Sequence, residues 1–279
     1  MTDAGSSQST GTDASLRVLS YNLRYAGIDE GPIAWERRRE RVASVIDDAD
    51  PDLLALQECW LDQLDDLRER LPAYDWIGFA DQTGEHTPIG YRRERLAVVE
   101  ADAFGLAPDG ERGVPGWDGE YPRTVTRARF RRKRSAPTDD DHSAATAEFT
   151  LFSIHLDNRG ERARREGART ICDRLPSGPV VVAGDCNCLP DSEPYETFTR
   201  ELTDTARAAR QRSGPAETYV GFGGAAVDEE DDPTPRRLDY VFCRGVAVDA
   251  HCVLSHDGDP TDRPSDHRPV VVDVTLSES

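Results

Sequence analysis

Two β-sheets packed face to face, with helices on the outside, are the architecture this sequence predicts. Three observations point there. Apolar, β-branched runs of strand length recur about ten to twelve times. They follow the order strand–helix–strand–helix, then many strands, a helix-bearing stretch, and strands again. No repeat and no linker divides the chain, so residues 16–279 are expected to form a single domain behind a disordered polar tail at 1–15.

The elements can be justified in turn. Residues 16–22, "LRVLSYN", alternate as a strand does. Residues 35–47 carry Trp35, Val42, Val45 and Ile46 among arginines, the pattern of an amphipathic helix. "PDLLALQE" (51–58) is a buried strand ending in a carboxylate, and Leu61, Leu64, Leu67 and Leu71 have helical spacing. "TPIGYR" and "LAVVEADAF" read as strands joined by a short polar turn, and "TVTRARFRR" and "EFTLFSIHLD" as two more. Between the last two, the charged, turn-rich segment 133–146 suits a hairpin tip. A helix is expected over 160–175, followed by the buried run that opens "VVVAGDCNCLPDS" (180–192) and then a less regular stretch. Residues 225–236 read as a solvated acidic loop. "LDYVFCR", "VAVDAHCVLS" and "RPVVVDVTL" supply the last strands.

Composition bounds the surroundings. Asp and Glu number 53 against 34 Lys and Arg, a net charge of -19, and Lys133 is the single lysine. An acidic, arginine-rich surface suits a halophilic protein, whose carboxylates hold hydration while salt screens their repulsion. A charge of this sign normally argues against a polyanionic partner. In molar salt the Debye length is about 3 Å, so a phosphate substrate stays admissible. No run of about 18 apolar residues could span a membrane, and the polar N-terminus lacks the basic and apolar parts of a signal peptide. Six cysteines without a CxxC pair fit reduced thiols, and a cytoplasmic location is expected.

Chemistry concentrates at strand ends. Asn22 follows "VLSY", Glu58 follows "LLALQ", His155 and Asp157 close "FSIHLD", and Asp185 and Asn187 follow "VVVAG". Asp239 opens one late strand, and Asp266 and His267 precede the last. One such residue usually caps a turn, but strand ends on one rim converge in space. Glu58, Asn22, Asp185, Asn187 and Asp266 make an oxygen-rich set suited to Mg or Mn rather than Zn. His155, His267 and Arg123 can donate to phosphate oxygens. Together they make a site for metal-assisted attack of water on a phosphoester.

At these residues the sequence resembles the endonuclease/exonuclease/phosphatase superfamily. The segments that carry the likeness are "SYNLRY", "LLALQE", "GEHTPIGYR", "YPRTVTRARF", "FSIHLDNRG", "VVVAGDCNCLPDS", "RRLDYVF" and "SDHRPVVV", in the family's order. The resemblance implies a four-layer α/β sandwich of two mainly antiparallel or mixed sheets. It also implies a Mg- or Mn-dependent phosphoesterase, foremost a phosphodiesterase of nuclease-like mechanism. A phosphatase or phosphodiesterase acting on small molecules or lipid head groups is the alternative.

By that resemblance Glu58 is the principal metal ligand, with Asn22 beside it and Asp266 as a further ligand. Asp185 orients or deprotonates the attacking water, and Asn187 contacts phosphate or metal. His267 holds a phosphate oxygen or shares a proton, oriented by Asp239. His155 matches a second histidine, with Glu85 as its carboxylate partner, and Arg123 contacts phosphate or the next strand. The implied partner is a phosphoester, with nucleic acid left open, no stable membrane association, and a monomeric chain. Departures from the family pattern are Cys186 for a large apolar residue, Cys188 for Ala or Ser, and Thr87 for a frequent Asn. Strand alternation puts both cysteines on the face away from Asp185 and Asn187, as small packing residues.

Overall fold

The structure is a computed structural model, and it describes residues 15–78, 86–133, 148–222, 234–256 and 262–276. The first sheet is built from β1 (Ser15–Asn22), β2 (Leu53–Gln57), β3 (Tyr74–Ile77), β4 (Ile89–Arg92), β10 (Gln211–Ser213), β12 (Val246–Val253) and β13 (Val270–Leu276). Its order is β10-β12-β13-β1-β2-β4-β3. The second contains β5 (Leu96–Gly105), β6 (Thr124–Arg132), β7 (Glu148–His155), β8 (Val180–Asp185), β9 (Thr203–Asp204) and β11 (Asp239–Arg244), in the order β5-β6-β7-β8-β11-β9. Helices α1 (Trp35–Ala49) and α2 (Leu61–Arg70) flank the first sheet, and α3 (Glu161–Cys172) and α4 (Glu193–Glu201) the second. A short α5 (Thr205–Ala208) follows β9.

Strand alternation explains the four layers. On β1, Leu16 and Val18 join the core between the sheets, while Leu19 and Tyr21 pack outward with Val42, Ile46, Leu64 and Leu67 of α1 and α2. On β8, Val181 and Ala183 face the first sheet, while Val180 and Val182 pack outward with Ala168, Ile171, Tyr195 and Phe198 of α3 and α4. Each central strand is therefore apolar on both faces, which is why these runs read as continuous rather than alternating. The fold is the predicted α/β sandwich of two mixed sheets flanked by helices.

Several short elements escaped the sequence reading. The edge strand β3 is only 4 residues long. Helix α4 lies in the stretch read as irregular, although Pro194 occupies its first turn, where proline is tolerated, and Tyr195 and Phe198 sit on its buried side. The tiny β9 and β10 have no periodicity to detect. Most of the polar tail, the hairpin tip at 133–146 and the acidic loop at 225–236 lies outside the described residues, as does Glu85.

Candidate active site

The inner faces of the two sheets end together at one rim. Asn22 continues the row Leu16, Val18, Ser20 on β1, and Asp185 continues Val181 and Ala183 on β8. His155 ends β7 and Asp239 opens β11. Register does the alignment: Asp185 stands opposite His155 in the parallel β7–β8 pair and opposite Asp239 in the antiparallel β8–β11 pair. Gly184 makes this possible, because a Cβ there would meet the Ile154 carbonyl oxygen at 1.9 Å.

The loops beyond the strands bring in the rest. Glu58, Asn187 and Arg24 all adopt left-handed backbone, with φ of 52°, 45° and 60°. Non-glycine residues rarely do so, and such strain gathers where a site needs a side chain re-aimed. The Asn22 side-chain amide donates to Glu58 Oε1 at 3.0 Å and to Asp185 Oδ2 at 3.1 Å, so it stands between the two carboxylates. Its own oxygen accepts from the Arg24 backbone N–H at 2.9 Å. Glu58 Oε2 accepts from the Tyr25 N–H at 2.8 Å.

Two histidines face Asp185. His267 Nδ1 donates to Asp239 Oδ2 at 2.8 Å, and its Nε2 lies 3.8 Å from Asp185 Oδ2. Burial alone would lower its pKa, but Asp239, with help from Asp185 and Asp266, raises it to about 10, so this imidazole is cationic at neutral pH. His155 has Arg123 Nη1 at 3.0 Å from its Nδ1. A guanidinium can only donate, so Nδ1 faces a donor. The ring's Nε2 lies 3.4 Å from Asp185 Oδ2 and 2.9 Å from the Asn187 amide nitrogen, a second donor. Burial, then Asp239, pushes Asp185 up to about 6 against the opposing pull of both histidines.

Asp266 accepts from Arg24 Nη1 at 2.9 Å and from the Ser265 hydroxyl at 3.2 Å. The same Ser265 hydroxyl lies 2.7 Å from the Asn22 carbonyl, tying the two loops together. Behind them, fully buried Arg38 donates to the carbonyls of Leu23, Ile33 and Pro264 and to Asp29. Arg24, Arg38 and Ser265 were missed in the sequence. Arg38 was hidden in "ERRRER", yet it sits three residues after Trp35 and four before Val42, on the buried stripe of α1. Thr87 is buried and donates to the Thr124 carbonyl at 2.9 Å. Cys186 and Cys188 lie in the outer core with Tyr195 and Tyr240, on the far side of β8 from the site.

The donor chemistry fits a hard divalent cation. Asp185, Asp239 and His267 bring polar atoms within 4.8 Å of one another, a grouping different from the Glu58, Asn22 and Asp266 set suggested by resemblance. The cationic imidazole has no lone pair for a metal, which leaves the two carboxylates as the donors of this grouping. Asp239 Oδ1 is buried without a hydrogen-bond partner, and Glu58 adds a carboxylate linked through Asn22. So many buried carboxylate oxygens in one place call for compensating positive charge.

Comparison with known proteins agrees with the fold. The family model described as "Endonuclease/Exonuclease/phosphatase family" matches residues 19–267. An endonuclease/exonuclease/phosphatase from Bacteroides vulgatus is 30% identical, with a TM-score of 0.81 over 94% of this chain and 99% of that one. A mannosyl-6-phosphatase from Bacteroides thetaiotaomicron is 28% identical, with a TM-score of 0.78 over 94% of this chain and 100% of that one. Protein angel of Drosophila melanogaster is 28% identical over 70% of this chain, and the match spans 59% of the fly protein. Among the described residues no helix is long and apolar enough to cross a membrane. The chain belongs to the endonuclease/exonuclease/phosphatase family, and with it to the phosphoester hydrolases.

Proposed function

We propose that this chain is a Mg- or Mn-dependent phosphodiesterase that cleaves a P–O bond by in-line attack of water. The observation that carries the reading is Asp185 flanked by two buried histidines, one of them the cationic His267. Asp185 aligns the water and takes its proton. Cationic His267, held by Asp239, donates to a phosphate oxygen as charge builds on it. His155 lies beside Asp185, and Arg123 and Asn187 against its two ring nitrogens complete the phosphate pocket. Glu58 and Asp266 are the carboxylates that would hold the cation, and Asn22 spaces Glu58 from Asp185. When bound, the cation supplies Lewis-acid stabilisation of the phosphoryl oxygens.

A second reading, a phosphatase for sugar phosphates or other small molecules, is favoured by the full-length likeness to the mannosyl-6-phosphatase. The test is a substrate panel in molar KCl: bis-p-nitrophenyl phosphate, single-stranded DNA, RNA and soluble phosphomonoesters, with Mg, Mn or EDTA. Turnover of diesters that EDTA abolishes is expected. Turnover confined to monoesters would replace the first reading with the second, and full activity in EDTA would remove the cation.

A further inference from the structure

Residues 217–221, "ETYVG", lie in the stretch without clear periodicity, and the hydrolytic machinery described above does not draw on them. The chain threads them between the entry to β11 and the loop that carries Asp266 and His267. On one side the Thr218 and Tyr219 N–H groups both donate to the Arg236 carbonyl at 2.9 Å. The Arg236 N–H returns a bond to the Tyr219 carbonyl at 3.0 Å. On the other side the Val220 and Gly221 N–H groups donate to the Asp266 carbonyl at 2.8 and 3.1 Å, and the Arg268 N–H donates to the Thr218 carbonyl at 2.6 Å. The segment is a strap, bonded to the backbone ahead of Asp239 and to both chain neighbours of His267.

Thr218 stands where the two sides meet. It is fully buried, and its one hydroxyl oxygen accepts from two successive backbone N–H groups, Leu238 at 3.0 Å and Asp239 at 2.9 Å. Two lone pairs on that oxygen let a single atom satisfy both donors. Leu238 carries the alignment further, since its carbonyl accepts from the Cys186 N–H at 2.9 Å, directly after Asp185. Next to Thr218, the Tyr219 ring meets the His267 imidazole edge-on with centroids 5.1 Å apart.

Packing alone does not need the hydroxyl, because valine has the same shape. What the oxygen adds is two bonds at the start of β11, one of them at the residue that orients His267. Thr218 reaches both ends of the 2.8 Å Asp239–His267 hydrogen bond, one through its side chain and the other through its carbonyl. We propose that Thr218 is a positioning residue for the hydrolysis, its hydroxyl fixing the start of β11 so that Asp239 aims His267 at the phosphate oxygen. This rests on the phosphoesterase reading above and holds for a monoester or a diester.

The test uses the full chain with Mn and whichever of bis-p-nitrophenyl phosphate and p-nitrophenyl phosphate the wild type turns over. Thr218→Val keeps the shape and removes the acceptor. Its kcat is expected to fall by about ten- to a hundredfold, the scale of a misplacement of about 1 Å, while KM changes by about twofold or less. Thr218→Ser keeps the oxygen and should recover most of the lost turnover. Thr218→Ala carries the same expectation as valine should the valine variant not fold. Thr205→Val is the control for lost stability alone: Thr205 is also fully buried, and its hydroxyl donates to the Val241 carbonyl of the same strand at 2.8 Å. Its melting temperature should fall while its kcat does not. In a His267→Ala background, Thr218→Val should lower kcat no further, because the hydroxyl acts through that imidazole. An unchanged kcat in Thr218→Val, an equal loss in Thr218→Ser or Thr205→Val, or a full further loss in the His267→Ala background would overturn the role and leave the phosphoesterase intact. If the wild type hydrolyses neither ester, the parent reading fails and this role falls with it.

Discussion

The two halves of the active-site rim are made in different ways. His155, Asp185 and Asp239 are set by strand register, each on a neighbouring strand of the second sheet. Glu58, Arg24 and Asp266 come from loops around the first sheet, two of them on left-handed backbone, and are positioned by hydrogen bonds. Register fixes position to within a fraction of an ångström wherever the sheet forms, and that suits proton transfer. Loops tied by charge can adjust, and that suits a cation whose ligands must close around it. His155 and Asp185 are held by strands, while His267 stands on a loop and is held by its bond to strand residue Asp239.

The largest expected effect tests the proton-handling pair, Asp185 on its strand and His267 on its loop. Asp185→Ala or His267→Ala should lower turnover by about a thousandfold or more while leaving the melting transition cooperative, since each removes a group that acts at the reacting atoms. Loss of folding in both would mean that these residues only build the rim. Next comes the loop half: Glu58→Gln should raise the Mg or Mn concentration needed for half-maximal activity by about a hundredfold or more, at or beyond the upper end of what loss of an outer-sphere partner costs. An unchanged metal requirement would move the cation away from Glu58.

Arg38→Met examines what holds the loop half. It leaves Asp29 buried without its fully buried partner, and stability should fall by about 3–5 kcal/mol in denaturant titrations. Adding Asp29→Asn should restore part of the loss. No such restoration would mean that the carbonyl contacts of Arg38, rather than the ion pair, carry its role.

The pH dependence has a defined sign. His267 is raised to about 10 in the folded chain, above its unfolded value of about 6.5. Its contribution to stability is therefore complete below about pH 6.5 and declines as pH rises through about 10. The melting temperature of wild type should drop across that window relative to His267→Gln, and parallel curves would refute the cationic assignment. The smallest effect belongs to the thiols. Cys186→Ala should change turnover by about twofold or less, because its side chain lies in the outer core.

Much of this was legible in the sequence, for reasons that differ by residue. Strand runs such as "VVVAGD" announce themselves by composition, and inner-face alternation carries directly to Asp185. Asp239 and His267 could be paired through resemblance, and their hydrogen bond at 2.8 Å is local chemistry that needs only proximity. Arg38 and Arg24 could not be singled out, because a buried arginine looks like any other in a chain so rich in surface ones. The grouping of Asp239 with Asp185 depends on which strands lie side by side, and that is a property of topology rather than of either segment.

The Asn22–Asp185 hydrogen bond spans 163 positions in sequence, and the Ser265–Asn22 bond spans 243. Contacts this distant carry a loop-closure cost that local helices do not, as does the β1–β13 pairing of the sheet itself. Helices α1 to α4 and single hairpins can regain their circular-dichroism signal while the rim is still open. Recovery of enzymatic turnover should therefore lag behind recovery of secondary structure in refolding, which makes hydrolysis the stricter reporter of the finished fold.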